Sequence, residues 1–169
     1  IRRVLGALDA DGLDRVVGAW TAGQLPALAG RRAVAVDGKT LRGSANIGAG
    51  QARSARHLLA VLDHDTRTVL GQVDVDGKTS ELAAFAPLLE GLNLGGAVVT
   101  ADALHTQRDH VAYLHERGAH WILTVKGNQP TLHQGLIDFF LDHASDDFER
   151  VKVSRHETRE RGHGREEQR

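Results

Sequence analysis

The apolar positions change period along the chain, and the changes divide it. Val4, Leu5 and Leu8, then Leu13, Val16, Val17 and Trp20, recur at three and four residues and predict two short helices within residues 1–29. Pro26 and the Gly30-Arg31-Arg32 turn close that region. Beyond it the pattern becomes short and dense. Ala33–Asp37 reads as a buried strand ending in an acid and followed by Gly38-Lys39-Thr40, and residues 43–56 read as a loop. His57–Leu62 and Thr68–Val75 flank a turn at residues 63–67, which predicts a hairpin.

Helices and strands then alternate. Thr79-Ser80-Glu81 caps a helix carrying Leu82, Phe85, Leu88 and Leu89 on one face, bent or shortened by Pro87. Ala97–Ala101 is a fourth strand that stops at Asp102. Thr106-Gln107-Arg108-Asp109 has the form of a capping box and opens a helix to about Arg117, with Val111 and Leu114 inward. Trp121–Val125 is a fifth strand, and Pro130 opens a helix with a stripe of Leu132, Leu136, Ile137, Phe140 and Leu141. The charged stretch from Glu149 reads as extended structure or loop. The order β-β-β-α-β-α-β-α predicts an α/β fold class, with three antiparallel strands and then parallel ones in a mixed sheet.

Composition narrows the class. With 169 residues, 41% apolar and 25% charged, the chain has the size and balance of one globular domain. Its longest apolar runs, Gly95–Val99 and Trp121–Val125, are strand-sized and far short of a bilayer span. With no charged-then-apolar leader, the expected location is the cytoplasm and not a membrane. The absence of cysteine excludes disulfide staples, thiol catalysis and cysteine-ligated metals. Methionine is absent too and the chain begins Ile1-Arg2-Arg3, so it is expected to be a piece of a longer protein. A net charge of −1 hides +5 over residues 1–56, −9 over 57–149 and +3 over 150–169. Basic flanks around an acidic middle suit phosphate at the edges and metal at the centre; an ordinary solvated surface produces the same numbers.

Two carboxylates stand out by position. Asp37 and Asp102 end the first and fourth predicted strands, and ligands of open α/β sheets collect beyond such ends. If the two strands are parallel neighbours, both acids emerge at one edge. Two bare carboxylates roughly 4 Å apart repel by about 4 kcal/mol at an effective dielectric near 20, so either one takes a proton or a cation sits between them. Oxygen ligands without cysteine favour Mg²⁺ or Mn²⁺ over zinc. The competing reading is two strand-end aspartates making turn hydrogen bonds.

Other candidates are weaker. His105, His110, His115 and His120 recur every five residues, about 140° past a full helical revolution, so they do not share a face. Neither a phosphate loop nor a dinucleotide fingerprint occurs. Ser44 and Ser54 lie in a polar loop without the elbow a hydrolase serine needs. Lys126, just past the fifth strand, reads either as a phosphate contact or as a solvated strand end.

Four stretches in order resemble the ISAs1 group within the IS4-like DDE transposases. They are Ala35-Val36-Asp37-Gly38-Lys39-Thr40-Leu41-Arg42-Gly43, Val98-Val99-Thr100-Ala101-Asp102-Ala103-Leu104-His105-Thr106-Gln107, Leu123-Thr124-Val125-Lys126-Gly127-Asn128-Gln129-Pro130, and Arg161-Gly162-His163-Gly164-Arg165. The resemblance implies an RNase H-like fold, with Asp37 and Asp102 as the first two acids of an Asp-Asp-Glu triad holding Mg²⁺ or Mn²⁺. It implies DNA as partner, cut at transposon ends and joined through the freed 3′-hydroxyl to target DNA. Lys39, Arg42 and Lys126 are then the expected DNA contacts. Also implied are a homodimer of the full-length parent and a bacterial, nucleoid-associated location.

By the same resemblance, residues 1–29 are the close of an N-terminal associated region and residues 30–169 a catalytic domain cut short before the third acid. That acid belongs to a later His-Trp-x-Ile-Glu-Asn helix, and no such motif occurs before Arg169. Glu166 stands where relatives carry an apolar residue, whereas Glu167 fits. The chain alone is therefore expected not to catalyse strand transfer. Two alternatives stay open. One is a non-catalytic remnant that binds DNA or a full-length relative; the other is a stand-alone RNase H-like metal nuclease using Asp138, Asp142 or Glu157 as its third ligand.

Overall fold

Val34 and Val36 are buried while Asp37 and Lys39 are exposed, the alternation of a strand with one covered face. They belong to β1 (Ala33–Thr40), the centre of a five-stranded sheet with β2 (His57–Asp63), β3 (Val69–Val75), β4 (Val98–Ala101) and β5 (His120–Leu123). The computed structural model describes all residues except 1, 26–29, 42–43, 45–54, 76–77, 156, 158, 163–164 and 169. The chain forms two units, residues 1–128 and residues 129–169.

The strand order of the first unit is β3-β2-β1-β4-β5. β1, β2 and β3 pair antiparallel, and β4 and β5 extend the sheet in parallel. This is the mixed sheet expected from the order of elements, and it suits the RNase H-like fold that the resemblance implies. One face is covered by α3 (Lys78–Leu89) and α4 (Arg108–Glu116). Val34, Val36, Leu59, Val61 and Val99 meet Phe85, Leu89 and Leu114 there, all at most 2% exposed. Each such side chain contributes about 1.5–3 kcal/mol by leaving water. Pro87 lies inside α3, which ends two residues later.

The N-terminal helices form where predicted, as α1 (Arg2–Leu5) and α2 (Ala10–Gln24), but α2 docks by an unexpected side. Its stripe of Leu13, Val16, Val17 and Trp20 is exposed. Contact with β3 runs instead through Gly18, where a Cβ would stand 2.3 Å from the Leu70 carbonyl oxygen. The Asp14 carboxylate accepts the Gln72 amide at 2.9 Å. The register of β3 shifts against Val61 and Leu62, a bulge at the sheet's edge, and α2 covers that edge.

Asp63 closes the β2–β3 turn. It is fully buried, accepts from the Thr66 amide and hydroxyl at 2.8 Å each, and pairs with Arg32. Burial pushes its carboxyl up, but the Thr66 amide, Arg32 and the Thr66 hydroxyl outweigh that and hold it below the usual value. Its contribution is therefore complete above the ordinary aspartate value and lost as pH falls through the lower folded one. Asp63→Ala is expected to remove about 2–4 kcal/mol, read by urea unfolding at pH 7, because it strips a buried pair of one partner.

The second unit contains α5 (Pro130–Ala144) and an antiparallel pair, β6 (Arg159–Gly162) with β7 (Arg165–Gln168). The stretch read as extended or loop is thus partly a two-stranded sheet. The α5 stripe of Leu132, Leu136, Ile137, Phe140 and Leu141 forms on the helix but is exposed. Among the described residues, no helix is long and apolar enough to cross a membrane.

Candidate active site

The parallel ladder between β1 and β4 ends at the pair Val36 and Ala101. One step further along each chain stand Asp37 and Asp102. Val36 and Ala101 turn to the covered face, so the next residues turn to the open one, and both aspartates are exposed. Neighbouring strands lie about 4.8 Å apart, which places the two acids side by side at one sheet edge.

Their backbones reach that edge differently. Asp37 is not at the end of its strand, as its sequence position predicts. β1 continues to Thr40 because β2 pairs with it that far, Asp37 against Ala60 and Thr40 against His57. It is the parallel ladder, not the strand, that ends there. Asp102 directly follows β4 and keeps an extended backbone, φ −73° and ψ 178°. Its Oδ1 accepts the Leu104 amide at 2.9 Å and so caps the 3₁₀ turn Ala103–His105. The turn-bonding reading is therefore satisfied by one oxygen of Asp102.

Side chains fix the loop after β5 against this turn. The Thr106 hydroxyl donates to the Thr124 carbonyl at 2.6 Å, and Asn128 Nδ2 donates to the Ala103 carbonyl at 2.7 Å. Lys126 lies on that loop and is exposed. Lys39 lies two residues beyond Asp37, on the same face of β1, and is exposed. Arg42 lies outside the described residues. The expected capping box does not form: Gln107 occupies the cap of α4 without a side-chain bond there. Thr106 is instead committed to the β5 loop.

Two acids weighed as a third ligand make bonds within the second unit. Asp138 accepts from Gln134 at 2.8 Å, and Asp142 pairs with Arg150 at 3.3 Å. Glu157 is exposed. Among the described residues, no three His, Asp or Glu side chains form a group able to hold a metal ion.

The covered face beneath the aspartates holds a cluster that sequence reasoning missed. Glu81, read as part of a helix cap, lies inside α3 and is 4% exposed. It bonds His57 and His105. His105 and His110, assigned to different faces on helical spacing, stack with ring centroids 5.3 Å apart. They can do so because His105 is in the 3₁₀ turn and not on α4. The available signal was Glu81 four residues before Phe85, an acid on the apolar stripe.

His110 stacks on Phe85 at 4.1 Å and donates from Nε2 to the Leu82 carbonyl at 3.1 Å. Burial holds its imidazolium form down, so its value is lowered below that of a free histidine. The unfolded chain then takes up the proton more readily, and stability falls as pH drops below about 6.5. Tm measured from pH 8 to pH 5 is expected to fall less steeply in His110→Phe than in the parent. The variant should start about 1 kcal/mol lower because the Leu82 carbonyl loses its donor.

Residues 28–169 match the family described as the transposase DDE domain. The chain belongs to that family. It is 31% identical over its whole length to "Putative transposase YncI" of Escherichia coli O157:H7 and covers 42% of that protein. It is 35% identical over 136 residues to the YncI protein of Escherichia coli strain K12, covering 80% of this chain and 53% of the relative. The chain thus spans about half the length of these curated relatives. The HTLV-2 integrase catalytic core domain in complex with magnesium overlaps it with a TM-score of 0.40 at 11% identity, covering 69% of this chain and 76% of that one.

Proposed function

We propose that this DDE domain is part of an insertion-sequence transposase of the ISAs1 type, with Asp37 and Asp102 as its first two metal-ligating acids. The observation that carries the reading is the β1–β4 register, which ends one step before both aspartates. Residues 1–29 are then the close of a preceding region and residues 30–169 catalytic domain, acting on DNA in the cytoplasm of a bacterium.

The donor set fits a hard divalent cation. Mg²⁺ is commonly held by one or two carboxylates, with waters and substrate phosphates completing its shell. Asp37 and Asp102 would supply those two carboxylates. Such an ion lowers the pKa of an attacking water or hydroxyl and offsets charge on the phosphate being cut. Lys39 and Lys126, both exposed, would contact DNA phosphates, each contact weakening as salt rises. Asn128 holds the Lys126 loop to the turn that carries Asp102.

Because the motifs supply only two acids of the triad, the 169-residue chain is expected to hold metal without joining strands. Incubation with Mn²⁺, supercoiled plasmid and an oligonucleotide bearing a free 3′-hydroxyl checks this. Neither nicks nor joined products should accumulate above an Asp102→Asn control. Metal-dependent nicking absent from that control would favour the stand-alone nuclease instead.

A further inference from the structure

We propose that Glu81 is the positioning residue of the aspartate pair, tying the backbone after Asp37 to the turn that Asp102 caps. The inference rests on the reading of Asp37 and Asp102 as metal ligands. A buried carboxylate costs several kcal/mol unless its oxygens are bonded, so its placement among apolar side chains calls for a reason beyond packing. Glu81 has a partner on each oxygen. His57 Nε2 donates to Oε2 at 2.6 Å and His105 Nε2 donates to Oε1 at 3.3 Å.

Each contact leads to the acid pair by a short route. Gly38 directly follows Asp37, and a Cβ there would stand 2.5 Å from Glu81 Oε1 and 2.7 Å from both Cδ and Oε2. The carboxylate therefore lies against the bare α-carbon of Gly38, and a larger residue there would push it aside. His57 is the register partner of Thr40, and its Nδ1 bonds the Thr40 hydroxyl at 2.9 Å, which pins the far end of β1. His105 is the last residue of the 3₁₀ turn, and its amide donates to the Asp102 carbonyl at 3.2 Å. One side chain thus touches or bonds to β1, β2 and the turn carrying Asp102. In a merely structural role Glu81 would support the fold without setting the spacing of the two acids.

The test compares Glu81→Ala and Glu81→Gln with the parent chain, at a temperature where circular dichroism shows all three folded. Two readouts apply: Mn²⁺ affinity, and hydrogen exchange at the Leu104 amide, which is bonded to Asp102. Removing a supporting partner of a metal ligand costs roughly 10–100-fold in affinity, so Glu81→Ala should bind Mn²⁺ at least about tenfold more weakly. Its Leu104 amide should exchange faster, and isosteric Glu81→Gln should recover part of both. Gly38→Ala, pressing the same contact from the other side, should reproduce the alanine signature. A folded Glu81→Ala with only a lower Tm, and both readouts unchanged, would overturn the proposal. If Asp102→Asn binds Mn²⁺ as well as the parent, the metal reading fails instead. Leu104 exchange then decides alone whether Glu81 positions the turn.

Discussion

Phe85→Ala is expected to be the most destabilising single change in the first unit. The ring is fully buried, stacks on His110 at 4.1 Å and meets His105 at 4.9 Å. Alanine removes the apolar area and leaves a cavity beside the two histidines within the buried core. Large-to-small changes of this kind cost about 3–5 kcal/mol. For a chain of this size that is a Tm lower by roughly 10 °C or more. A loss under about 1 kcal/mol would mean that Phe85 is not at the centre of the core.

The second large effect concerns the acids, and it has two signs. Without metal, Asp37 and Asp102 are like charges on adjacent strands, repelling by about 1–4 kcal/mol between the limits of bulk water and a protein surface. Asp102→Asn removes one charge and keeps an oxygen able to accept the Leu104 amide. The metal-free variant should therefore melt at or slightly above the parent's temperature. With Mn²⁺ the order should reverse. Binding to the folded chain alone adds about 2.7 kcal/mol at a hundredfold excess over Kd, and a variant that binds tenfold more weakly forgoes about half of that gain. Asp37→Asn should behave alike. The double variant should lose little more than either single one, because both side chains serve one ion. Additive losses would place the two aspartates in separate sites.

What the sequence shows and hides follows from how local each signal is. The strands around Asp37 and Asp102 were legible because short Val- and Ala-rich runs bounded by acids occur at separated places. The hairpin of β2 and β3 was legible from its turn residues. Pairing is not local. That β1 runs on to Thr40 is dictated by its partner β2, so Asp37 is interior to its strand. Thr106 has the chemistry of a cap, yet the Thr124 carbonyl claims its hydroxyl. In α2 the apolar period points to one side, while close approach to the Leu70 carbonyl selects the side bearing Gly18. Glu81 was hidden for a similar reason, since its two histidine partners stand 24 residues away in each direction.

The most direct test of the aspartate pair is Mn²⁺ binding, followed by electron paramagnetic resonance, in the parent chain and in Asp102→Asn. A metal pair requires one bound ion in the parent and an affinity at least about tenfold weaker in the variant, as expected when a ligand of the ion is lost. Equal affinity in the two proteins, or no binding in the parent, would contradict it.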